Sequence, residues 1–118
     1  MKLKYRLRLL VSLCPLLIPQ LAFAHAILIS STPAANSLVR GPETAIVMEF
    51  NSRVDGVRSR ITVVPEKGDS QTLQIQRQTL PNELSSHAQL KAGKYKLYWQ
   101  ALAVDGHLTR GVISFTVQ

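Results

Sequence analysis

A chain of 118 residues, 46% hydrophobic and 18% charged, has room for one domain around one core. The formal net charge of +7 does not argue for nucleic acid. Four of the 14 basic residues (Lys2, Lys4, Arg6, Arg8) crowd the start, the other ten face seven acids, and those ten are scattered without interleaved aromatics.

The first 24 residues read as a targeting segment and not as fold. The basic head is followed by an apolar run from Leu9 to Ala22, and Ala22-Phe23-Ala24 has the small-x-small pattern that a signal peptidase cuts behind. A membrane-spanning helix needs about 20 apolar residues; this run is shorter and broken by Pro15 and Pro19. Cleavage after Ala24 is therefore expected, with residues 25–118 as one exported domain. Cys14 lies inside the signal behind Leu13, where a lipid-anchored protein has a small residue, so lipidation is rejected. It is the only cysteine, which leaves the processed chain neither disulfide nor thiolate ligand.

From Ala26 onward the apolar pattern has period two. Ile46, Met48 and Phe50 alternate with Val47, Glu49 and Asn51. Tyr95, Leu97 and Trp99 alternate with Lys96, Tyr98 and Gln100, and Ile113, Phe115 and Val117 with Ser114, Thr116 and Gln118. Alternation of this kind gives half-buried antiparallel strands. Pro33, Gly41-Pro42, Asp55-Gly56, Pro65 to Gly68, Pro81-Asn82, Gly93 and Asp105-Gly106 punctuate it at the spacing of turns in a sandwich or barrel. Seven strands follow, near residues 26–31, 44–51, 59–65, 71–77, 84–90, 94–103 and 110–117. The class is all-β. Leu90-Lys91-Ala92-Gly93-Lys94-Tyr95, with Trp99 beyond it, has the form of a tyrosine corner of Greek-key sandwiches.

Three histidines carry the chemistry. Cleavage after Ala24 makes His25 the first residue, so a free α-amine and the imidazole Nδ1 can close a six-membered chelate ring on one metal. Asp105 and His107 are two apart, which puts their side chains on one side, and Gly106 between them allows a sharp bend. Asp-Gly is also an ordinary hairpin turn, and the N-terminal histidine is what tips the reading toward a ligand pair. His87 has no acidic or histidine neighbour at ligand spacing and reads as surface-facing or satisfied in the core.

The opening His25-Ala26-Ile27-Leu28-Ile29-Ser30-Ser31-Thr32-Pro33-Ala34 resembles the start of CopC-type periplasmic copper-resistance proteins. The stretch from Tyr95-Lys96-Leu97-Tyr98-Trp99 through Asp105-Gly106-His107 and Gly111 to Phe115-Thr116-Val117 resembles their C-terminal signature. The resemblance implies a seven-stranded, Greek-key, immunoglobulin-like β-sandwich. It also implies one Cu(II) per chain, held by the amine and Nδ1 of His25, a ring nitrogen of His107 and a carboxylate oxygen of Asp105. A non-enzymatic carrier, chaperone or buffer in copper resistance or uptake follows, monomeric and periplasmic, with an inner-membrane CopD-like transporter as a partner.

This chain departs from the family pattern in two places. Ser52 stands where members often carry a glutamate near the copper. Some members have a methionine-rich loop for Cu(I); here Met48 is the one methionine after the signal, set in a strand, and no Cu(I) site is expected. The alternatives are a histidine-chelated copper oxygenase and a metal-free secreted interaction module.

Overall fold

The structure, a computed structural model, describes Pro15 and residues 25–118. The expectations for residues 1–24 lie outside the described residues, apart from Pro15.

The described residues form eight strands in two sheets: β1 Leu28–Thr32, β2 Ser37–Val39, β3 Glu43–Phe50, β4 Val54–Pro65, β5 Gln71–Leu73, β6 Glu83–Gln89, β7 Gly93–Ala103 and β8 Leu108–Val117. One sheet runs β1-β3-β6, the other β2-β8-β7-β4-β5. All pairings are antiparallel except β2 with β8. This is a Greek-key, immunoglobulin-like sandwich, and its half-buried strands are those the period-two pattern predicts.

The expectation of seven strands is corrected to eight. The unforeseen strand is β2, a three-residue segment whose Ser37, Leu38 and Val39 lie parallel to Phe115, Thr116 and Val117. It is too short to show alternation, and its pairing is long-range. The strand expected over 71–77 ends at Leu73. Asp55-Gly56, read as a break, lies inside β4: between Asp55↔Leu102 and Arg60↔Gln100 the register slips in a bulge. The Asp55 carboxylate closes it, accepting from the amides of Val57 and Arg58 at 2.9 and 3.1 Å. A turn signal absorbed by a strand in this way is a bulge and not an end.

The core is filled by the inward set of each strand. Ile46, Met48 and Phe50 of β3 and Leu84 of β6 meet Ile61 and Val63 of β4, Leu97, Trp99 and Ala101 of β7, and Ile113, Phe115 and Val117 of β8. Met48 is fully buried there, a packing residue as its position suggested. Phe50 and Trp99 cross between the sheets edge to face, with centroids 5.4 Å apart. The tyrosine corner is present: the Tyr95 hydroxyl donates to the Lys91 carbonyl at 2.6 Å.

Candidate metal centre

The site lies at one end of the sandwich, where the segment before β1 passes the β7–β8 turn. That turn is closed by two backbone bonds: Ala103 N–H donates to the His107 carbonyl and Gly106 N–H to the Ala103 carbonyl, both at 2.9 Å. Gly106 takes φ +89°, a left-handed conformation that a β-carbon disfavours. Asp105 and His107 thus face each other across a turn, and not along the extended strand that their spacing first suggests.

Asp105 is fully engaged with its neighbour. One oxygen, Oδ1, accepts from the His107 backbone N–H, and the other, Oδ2, lies 3.0 Å from Nδ1 of the same residue. These two bonds, backbone first, hold the Asp105 carboxyl below its ordinary pKa against an opposing effect of desolvation, with lesser help from the charges of His107 and His25. With Nδ1 occupied by a carboxylate, Nε2 of His107 is the nitrogen left for another partner.

His25 comes from the opposite sheet. Its ring stands 4.8 Å from that of His107, centroid to centroid, at 89°. Its position is set by the following residues: Ala26 is fully buried, and Ile27 is bonded to Asn51 through both its amide and its carbonyl. All three candidate residues are therefore within one small volume. Among the described residues no three His, Cys, Asp or Glu side chains already stand as a ligand cage. None of the three belongs to the core, and the half-exposed His107 ring and the exposed His25 can turn toward one ion without disturbing it, while the Asp105 carboxylate is already beside His107. The donor set suits copper: two imidazole nitrogens with one carboxylate oxygen form a mixed N/O site for which Cu(II) heads the divalent affinity order.

The other residues singled out fall away from this cluster. His87 is exposed on β6 opposite Ala45. The Ser52 hydroxyl oxygen is buried with no hydrogen-bond partner among the described residues, and it puts no carboxylate beside the arm. Asn51 was missed by sequence reasoning. An asparagine one residue past a strand carries no pattern that separates it from a turn.

A CopC domain model matches residues 28–118. The chain belongs to the CopC family. Curated relatives include the Copper transport protein CutJ of Bacillus subtilis (strain 168), 29% identical over 104 residues, and Protein YobA of Escherichia coli (strain K12), 33% identical over 103 residues. The CutJ match takes in 85% of this chain but only 19% of CutJ; the YobA match takes in 81% of each. Among solved structures, CopC from Methylosinus trichosporium OB3b superposes with a TM-score of 0.73 at 26% identity, over 80% of this chain and 94% of that one. CopC-family proteins are copper-binding resistance and carrier proteins, not enzymes, which sets aside the copper-oxygenase alternative.

Proposed function

We propose that the processed chain, beginning at His25, is a periplasmic Cu(II) carrier or buffer that holds one ion at the end of the sandwich. The observation that carries this reading is the meeting of His25 and His107 at 4.8 Å between centroids, with Asp105 bonded to the second ring. The amine and Nδ1 of His25, a ring nitrogen of His107 and a carboxylate oxygen of Asp105 hold the ion. To ligate directly, Asp105 releases the backbone N–H of His107 from Oδ1 and keeps Oδ2 on Nδ1, which holds that ring oriented. Exposed ligands on a turn and a chain end favour capture and release, and delivery is to a membrane copper transporter of the CopD type. Membership in the CopC family and the apolar leader agree with copper binding outside the cytoplasm.

The test is a one-residue extension. Protein recovered after export is compared with protein carrying one extra residue ahead of His25, by titration with Cu(II) against a competing chelator. Extension moves the amine off the chelate ring and should abolish tight binding with the fold intact. Undiminished affinity would contradict the proposal.

A further inference from the structure

The proposed site draws on both sheets, because His25 leads into β1 while Asp105 and His107 sit in the β7–β8 turn. A chain end lying across a sheet edge needs a tether to hold it there. Ala26 supplies burial, but a methyl group fixes no direction. Ile27 supplies direction. Its side chain is in water, 59% exposed, yet its backbone is bonded on both sides to one residue. Ile27 N–H donates to Asn51 Oδ1 at 2.7 Å, and Asn51 N–H donates to the Ile27 carbonyl at 2.9 Å. An amide N–H can only donate, which settles that the facing atom is the side-chain oxygen.

The regular ladder of β1 with β3 runs from Thr32↔Val47 to Ser30↔Glu49, and past a bulge at Ile29 it resumes for one pair, Leu28↔Phe50. On the next rung the side chain of Asn51 accepts the bond that a main-chain carbonyl would take, as the backbone bends away toward β4. The same short connector reaches the other half of the site. The carbonyl of Arg53 accepts from the N–H of Val104, next to Asp105, at 3.3 Å. Residues 51–53 thus hold the arm with one end and the turn with the other.

We infer that Asn51 is a positioning residue for Cu(II): its side-chain oxygen holds the His25 arm against the Asp105–His107 turn without touching the ion. The inference rests on the Cu(II) reading above. Asn51→Ala removes the acceptor while leaving the core, the rest of the ladder and all three ligands in place. Water can then solvate the Ile27 amide, so the domain stays folded, and the arm, left with the single backbone bond from residue 51 to the Ile27 carbonyl, is held less firmly. Asn51→Asp keeps an oxygen at the same reach.

The experiment uses protein purified after export, its first residue verified by mass spectrometry, as wild type, Asn51→Ala and Asn51→Asp. Asn51→Ala should lower Cu(II) affinity about tenfold, the scale of one hydrogen bond. It should also speed hydrogen exchange at the Ile27 amide, weaken the proton contact between the His25 and His107 rings in metal-free protein, and reduce the nitrogen couplings in the copper spectrum. Asn51→Asp should return affinity to the wild-type value or above it. Wild-type affinity and Ile27 exchange in Asn51→Ala would overturn the inference, as would equal losses in both variants. A wild type that binds no Cu(II) would defeat the reading of function instead. The tether would then be judged on the metal-free measurements, and an unchanged ring contact in Asn51→Ala would overturn it.

Discussion

Asp105 directs both carboxylate oxygens at His107, and its pKa is depressed as a result. A carboxyl whose folded pKa lies below its unfolded value, near 3.9, adds stability above that value and loses it as pH falls through the lower folded one. The carboxylate is therefore ionised wherever copper binds. Asp105→Asn should weaken Cu(II) binding by at least about tenfold, since it removes both a charged ligand oxygen and the partner that orients His107, and should lower the thermal midpoint near neutral pH only slightly, because the lost contribution is that of an exposed carboxylate. Competition titration and a melting curve on the same sample check both halves. Gly111 shows the opposite dependence. A β-carbon there would lie 2.5 Å from the Trp99 indole, so Gly111→Ala forces the ring to move. The expected cost is about 1–3 kcal/mol by denaturant unfolding. Because Trp99 is the only tryptophan, a shift in its emission should accompany the loss.

The element most exposed to error is the arm before β1. Ala26 is fully buried beneath it, and Ala26→Leu would lift the segment off the sheet. The prediction is a loss of copper affinity larger than the loss of fold, read by titration beside a denaturation curve. Long elements were legible in the sequence because their pattern is long: the inward sets of β3, β7 and β8 were assigned correctly from alternation alone. Met48 as core and Tyr95 as a corner were also correct, since each depends on neighbours within a few positions. What was not legible depends on distant partners. β2 owes its existence to Phe115–Val117 across the sheet, and the bulge in β4 to an Asp55 carboxylate that makes its own turn inside a paired strand. The site divides in the same way. The proposed ligands His25, Asp105 and His107 carry chemistry that a sequence displays, while the bond from the Ile27 amide to Asn51 spans 24 positions and leaves no local pattern.

Considered whole, the sandwich brings His25, ahead of its first strand, beside His107 in the turn before its last. In the proposed site Cu(II) displaces protons from an amine and two imidazoles, so its affinity should fall as the pH is lowered. A titration flat from pH 8 to about pH 5 would exclude the ligand set. The most direct test of the whole account is an electron paramagnetic resonance spectrum of the processed protein with one equivalent of Cu(II). The account predicts a single species with hyperfine coupling from three nitrogens, the amine and two imidazoles. A spectrum with one nitrogen or none, or that of free aqueous copper, would contradict it.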